Sequence, residues 1–285
     1  MKVEERVRTN GVEIAYEAVG AGKPVVAVHG GPGLGHGYMR GIDVLADEYE
    51  VIFYDQRGSG HTELGEPDEV TFAGAIADLE AVRQGLAIEG LNLVGHSFGA
   101  LVSLLYAANH PDRTGSLVLY AAAPPFVPEL AERLWARMAE RRTPADDAEQ
   151  ERIEQSDEFA TRDPKTLERY FLNKYLPFFD ERASVEKVDM GFTEITAANV
   201  LEAWQRMFRD LEQHDPLGSL GKITCPTLVI HCENDPGPEE FSRLLADKIA
   251  GAEYAFLPDT NHFAHVENPE LFEATVKRFL KSHAV

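Results

Sequence analysis

The stretch Leu91–Ala107, LNLVGHSFGALVSLLYA, constrains the fold of this 285-residue chain more than any other. Leu91–Val94 is an apolar run with the length of a buried strand. Gly95-His96-Ser97-Phe98-Gly99 follows, and the apolar pattern then continues at helical spacing. A strand, a tight turn carrying G-x-S-x-G and a helix form a nucleophile elbow. The glycines have a physical reason. Side chains at 95 and 99 would collide with the adjoining strand and helix, and the turn holds Ser97 in strained backbone geometry. Ser97 is the expected nucleophile. The amide N–H of Phe98, at the start of the helix, is expected to face a developing oxyanion.

The elements around the elbow alternate. Val25–Val28, Glu50–Tyr54, Gly115–Ala121, Pro226–Cys232 and Ala252–Leu257 read as further strands. Helical patterns cover roughly 41–48, 72–86, 238–250 and 269–281, the last opened by Asn268 as N-cap and Pro269 at N1. This alternation predicts an α/β fold, a mostly parallel sheet with helices on both faces. Val3–Val7 and Val12–Ala18, joined through Asn10-Gly11, read as an antiparallel hairpin at its edge. The alternation breaks after Ala123-Pro124-Pro125. Residues 124–212 are helical, charged and rich in aromatics, with no strand-like run. They read as a helical cap inserted in a core made of 1–123 and 213–285.

A net charge of −21 argues against nucleic acid or an anionic membrane as partner. The N-terminal twenty residues lack the apolar core of a signal peptide, and no run reaches the ~18 apolar residues of a membrane span. These features point to a cytoplasmic protein. Cys225 and Cys232 bracket one strand and stand ~23 Å apart at ~3.3 Å per residue, so they are expected to be free thiols. The ten histidines are scattered without zinc-ligand spacing, so neither metal nor cofactor is expected.

A serine hydroxyl is a weak nucleophile and needs a base held by a third group. In open α/β sheets the site lies at the carboxyl ends of the strands. Past the last two strands come Glu233, Asn234 and Asp235, then Asp259 and His262. The chain order Ser97, Asp235, His262 suits a triad. Glu233 and Asp259 are rivals for the acid, and His265 for the base. The second oxyanion donor is expected from the glycine-rich run His29-Gly30-Gly31-Pro32-Gly33, at the N–H of Gly31. Asp55 and Arg57 are expected to brace the loops behind the site through charge-assisted hydrogen bonds.

Together, HGGPG at 29–33, DQRGSG at 55–60, GHSFG at 95–99 and the late NDP and NHFAHVENP segments resemble the α/β-hydrolase superfamily, and within it most closely the proline iminopeptidases. The resemblance implies Ser97, Asp235 and His262 as the triad, and Asn268-Pro269, seven residues past His262, favours His262 over His265. It also implies a serine hydrolase that cleaves an amide or ester of a small substrate or short peptide through an acyl-enzyme. A carboxylesterase or lactonase is the alternative, and a non-catalytic ligand-binding protein a minor one. Two departures stand out: the elbow is Gly-His-Ser-Phe-Gly, as in esterases, and Pro236 follows Asp235 where some relatives carry an amine-binding glutamate. An aminopeptidase needs carboxylates for its substrate's ammonium, and Glu194 and Glu202 are the cap residues expected to supply them.

Overall fold

The computed structural model describes residues 5–9 and 11–285. Eight strands form one sheet: β1 (Glu5–Arg8), β2 (Glu13–Gly20), β3 (Lys23–Val28), β4 (Tyr49–Tyr54), β5 (Leu91–His96), β6 (Thr114–Tyr120), β7 (Thr227–Cys232) and β8 (Glu253–Leu257). Their order is β1-β2-β4-β3-β5-β6-β7-β8, antiparallel at the β1–β2 and β2–β4 pairings and parallel elsewhere. The edge hairpin expected near the N-terminus is β1–β2. Its first residues and the turn position Asn10 lie outside the described residues.

Strand alternation explains why both faces are covered. Val26 and Val28 of β3 and Leu91 and Leu93 of β5 pack on one face, while Val25, Ala27 and Val94 pack on the other. All six residues of β5 are buried, as expected for a central parallel strand. Helices α1 (Phe72–Gly85) and α2 (Phe98–Asn109) supply the first face. On the second face lies a 3₁₀ stretch, His36–Leu45, with the C-terminal helix. That stretch starts several residues before the helical pattern in the sequence. Gly35, Gly37 and Gly41 weaken the local helix signal, and burial of Tyr38, Met39, Ile42 and Leu45 holds the segment instead.

Between β6 and β7 the chain carries α3 (Pro128–Glu140), α4 (Pro144–Glu154), α5 (Asp157–Ala160), α6 (Pro164–Tyr175), α7 (Glu194–Leu211) and α8 (Pro216–Ser219). The long helix α7 is tied to the sheet layer at several points. Thr193 caps its N-terminus, and Thr196 Oγ1 accepts the Gly60 N–H at 2.8 Å. Near its far end Asp210 accepts the Phe72 N–H at 2.7 Å, while Val200, Ala203, Met207 and Leu211 are buried. The last elements are α9 (Glu239–Lys248), α10 (Ala264–Glu267) and α11 (Pro269–His283), with Asn268 capping α11 through the Leu271 N–H. Cys225 and Cys232 are both buried free thiols. Among the described residues no helix is long and apolar enough to cross a membrane.

The topology places the site. From β3 the chain steps to β4 on one side, then crosses back to β5 on the other, so the strand order reverses between β3 and β5. Ligand sites of open α/β sheets open at such a reversal, beyond the strands' carboxyl ends. The loops leaving β3 and β5 there carry Gly31 and Ser97.

Candidate active site

Ser97 links β5 to α2 with φ 55° and ψ −120°, a left-handed conformation rare for a residue with a side chain. The backbone around it leaves no room for alternatives. A Cβ at Gly99 would lie 2.1 Å from the Val28 carbonyl oxygen, and one at Gly95 would lie 2.7 Å from the Gly99 oxygen. The Ser97 N–H donates to the Tyr120 carbonyl at 3.0 Å and fixes the turn to the neighbouring strand. Phe98 follows as the first residue of α2. The β3 loop lies directly against it, since a Cβ at Gly30 would stand 3.0 Å from the Phe98 nitrogen. Gly31, with φ +56°, closes a tight turn in which its carbonyl accepts the Leu34 N–H at 2.7 Å.

His262 and Asp235 meet across the loops after β8 and β7. His262 Nδ1 is 2.7 Å from Asp235 Oδ2, and both side chains are 4% exposed. The other Asp235 oxygen accepts the Gly237 N–H at 2.6 Å. The Asn234 N–H reaches the Thr260 carbonyl and ties the two loops together. With Nδ1 engaged, Nε2 is the ring nitrogen left for Ser97. Ser97 and His262 line one small cavity of about 10 Å³, together with Gly31, Tyr38, His96 and Tyr175. The rival acids are both exposed, and the Glu233 carboxylate accepts the Asp259 N–H at 2.9 Å.

His265 is buried in α10. Its Nε2 lies 3.0 Å from the Tyr38 carbonyl and its Nδ1 3.3 Å from the Tyr120 hydroxyl, so both nitrogens are occupied away from Ser97. Sequence reasoning missed the polar chain that joins the two halves of the site. The Gly30 N–H donates to the Tyr38 hydroxyl at 2.5 Å, and that hydroxyl meets His96 Nδ1 at 3.1 Å. His96 Nε2 donates in turn to the His262 carbonyl at 2.9 Å, which also accepts the Tyr120 hydroxyl. The loop holding Gly31 and the loop holding His262 are thus braced through one imidazole. Behind them, Asp55 accepts the backbone N–H groups of His36 and His61, and Arg57 makes a buried two-pronged pair with Asp78 at 2.7 and 2.6 Å.

These buried imidazoles are expected to make the core sensitive to acid. Burial lowers His29 and His265 from the usual 6.5 to about 4, and burial holds His96 well below its usual value. Between those values the unfolded chain takes up protons that the folded chain does not, so stability falls as pH falls. The displacement corresponds to about 3 kcal/mol for each of His29 and His265 by pH 4. Glu80, held below the carboxylate range mainly by Arg83, adds loss in the same direction at lower pH. The urea midpoint is expected to fall steeply between pH 6.5 and 4. A midpoint flat across that window would contradict the burial of neutral imidazoles.

Above Ser97 and Phe98 lies a cavity of about 320 Å³, at the small end of ligand pockets. Its floor is Gly31, Pro32, Ser97 and Phe98, and its walls come from α3, α6 and α7. Trp135, Tyr170, Phe171, Trp204 and Phe208 make it largely aromatic, and Lys174 is its one charged lining residue. Glu194 and Glu202, the expected amine-binding carboxylates, are not among its lining residues. Glu194 stands exposed in the first turn of α7, and Glu202 is half-exposed and paired with Arg206 at 2.9 Å. The helix register explains their position. Leu201, Trp204, Gln205 and Phe208, spaced i, i+3, i+4 and i+7, form the cavity stripe of α7. Glu202 is about 100° around the helix from Leu201. That apolar spacing was the sequence signal for the lining. Among the described residues no group of three or more His, Cys, Asp or Glu side chains is arranged to hold a metal ion.

Comparison with known proteins agrees with this architecture. The chain is 25% identical to the proline iminopeptidase of Lactobacillus acidophilus, over 99% of each protein. Among solved structures, a thermophilic esterase from Thermogutta terrifontis superposes with a TM-score of 0.71 at 23% identity, over 99% of this chain and 100% of that one. The enol-lactonase of Burkholderia xenovorans superposes with a TM-score of 0.66 at 23% identity, over 97% and 100%. The family described as alpha/beta hydrolase fold matches residues 23–269. With the sheet, the elbow and that match together, the chain belongs to the α/β-hydrolase fold family and resembles its proline iminopeptidases.

Proposed function

We propose that this protein is a serine hydrolase that cleaves esters of small apolar acids through an acyl-enzyme at Ser97. The observation that carries the reading is that His262, held at 2.7 Å by the buried Asp235, lines the same small cavity as the strained Ser97. In this reading His262 Nε2 takes the Ser97 proton as Oγ attacks the ester carbonyl. The tetrahedral oxyanion is stabilised by the N–H groups of Phe98 and Gly31. His262 then protonates the leaving alcohol, and water activated by the same nitrogen releases the acid. Asp235 holds the imidazole tautomer and balances its charge during each transfer. Residues 124–212 act as the cap that chooses the substrate, because they wall the cavity above Ser97.

The ester reading is preferred to the amide reading on the charge of that wall. An aminopeptidase holds a substrate ammonium, and an unpaired ammonium out of water costs several kcal/mol. This cavity offers no lining carboxylate, and its charged lining residue is a lysine. Pro236 stands where some relatives place an amine-binding glutamate. A second reading, an aminopeptidase, is favoured by the full-length similarity to proline iminopeptidases. Comparing proline p-nitroanilide with p-nitrophenyl butyrate separates the two. The ester is expected to be cleaved with kcat/KM at least ~100-fold above the anilide, about 2.7 kcal/mol in transition-state binding. Faster cleavage of the anilide would overturn the ester reading and establish the other.

A further inference from the structure

The cavity above Ser97 carries a single charged lining residue, a cation. Lys174 is on α6, one turn beyond Tyr170. Its Nζ lies 3.3 Å from the Tyr170 hydroxyl and 5.1 Å from that ring's centroid. Among the described residues, no carboxylate is within ion-pair distance of Lys174. The chain holds 48 Asp and Glu against 27 Lys and Arg, and Arg142, which also reaches Asn173, and Arg169 on the same helix each pair with one. Trp204, across the cavity on α7, carries a buried indole N–H with no partner among the described residues. An ammonium has three donor positions and no acceptor, and Lys174 is exposed enough to reach a ligand without first leaving a buried pair.

We infer that Lys174 selects substrates bearing a carboxylate remote from the ester that is cut, such as half-esters of apolar dicarboxylic acids. This rests on the ester-hydrolase reading above. Ser97 on the floor and Lys174 on the wall then grip the two ends of one molecule, with its apolar middle against the aromatic lining. The cavity that both residues line is about 320 Å³, at the small end of those that hold small molecules. A short dicarboxylic chain suits that space. The cation ranks anionic above neutral substrates through binding, so the preference falls on KM rather than kcat. The overall charge of −21 repels anions at long range, and that repulsion is screened beyond ~8 Å at physiological salt.

The test compares p-nitrophenyl hydrogen adipate with its neutral methyl ester at 0.15 M salt. Wild-type protein is expected to favour the anion about five- to tenfold in kcat/KM, mostly through KM. Lys174→Met is expected to bring that ratio to about one, and Lys174→Arg to restore part of it. Equal use of both esters by the wild type, or a preference that survives Lys174→Met, overturns the assignment. A second readout separates this from failure of the ester reading. Both tryptophans of the chain, Trp135 and Trp204, line the cavity, so their fluorescence reports occupancy without turnover. In Ser97→Ala protein, monobutyl adipate is expected to quench with a Kd about five- to tenfold below that of butyl methyl adipate, and Lys174→Met to erase the difference. If neither nitrophenyl ester is cleaved, the ester reading fails and the quenching ratio alone decides: a ratio lost in Lys174→Met sustains the carboxylate site, and equal quenching overturns it.

Discussion

Ser97→Ala is expected to lower kcat on p-nitrophenyl butyrate by on the order of 10⁴–10⁶-fold while leaving the fold intact. The size follows from the mechanism. In the proposed mechanism, removing Oγ removes the acyl-enzyme and leaves the water reaction helped only by binding and the proposed oxyanion donors. The fold survives because the turn is held by backbone. The Ser97 N–H on the Tyr120 carbonyl and the close passage of Gly99 past Val28 do not use the hydroxyl. Steady-state kinetics with a circular dichroism spectrum checks both halves. Retention of most of the activity would remove Ser97 from the chemistry.

The second large effect separates two histidines three residues apart. His262→Ala is expected to be about as damaging as Ser97→Ala, because residues that act as one unit are not additive. Asp235→Asn is expected to cost on the order of 10⁴-fold in kcat, by releasing the imidazole into the wrong tautomer. His265→Ala acts differently. It deletes a buried ring held by the Tyr38 carbonyl and the Tyr120 hydroxyl, so its cost is expected in stability, about 1–3 kcal/mol for the groups left unpaired. Its kcat is expected to stay within about tenfold of wild type. Denaturant midpoints measured beside kcat distinguish the two. A kcat collapse for His265→Ala with a mild effect for His262→Ala would exchange their roles.

The parts of the molecule legible in the sequence are those set by local rules. β5, Ser97 and α2 follow from the run Leu91, Leu93 and Val94, two glycines that a Cβ would jam, and a helical apolar run. Asp235 and His262 are expected near one another because strand ends in a parallel sheet converge, and in the structure they stand 2.7 Å apart. The 3₁₀ stretch His36–Leu45 was only partly seen, since its glycines hide a segment held by packing. The substrate side was harder to read. Glu194 and Glu202 sit beside apolar residues in sequence, yet a helix turns each residue by about 100°, and adjacency does not mean a shared face. Leu201, Trp204, Gln205 and Phe208 on α7, with Tyr170, Phe171, Lys174 and Tyr175 on α6, make the wall instead. Both stripes have helical spacing, but their joining into one cavity depends on how α6 and α7 lie over Ser97. The brace through Tyr38, His96 and Tyr120 is equally non-local, drawing on three separate segments.

The most direct measurement of the central claim is the site of covalent attachment. Protein treated with a p-nitrophenyl alkylphosphonate, digested and mapped by mass spectrometry, is expected to carry one phosphonyl group on Ser97, formed as activity disappears, with none on Ser97→Ala protein. Attachment at another residue in step with inactivation, or full activity in protein labelled at Ser97, would contradict the account.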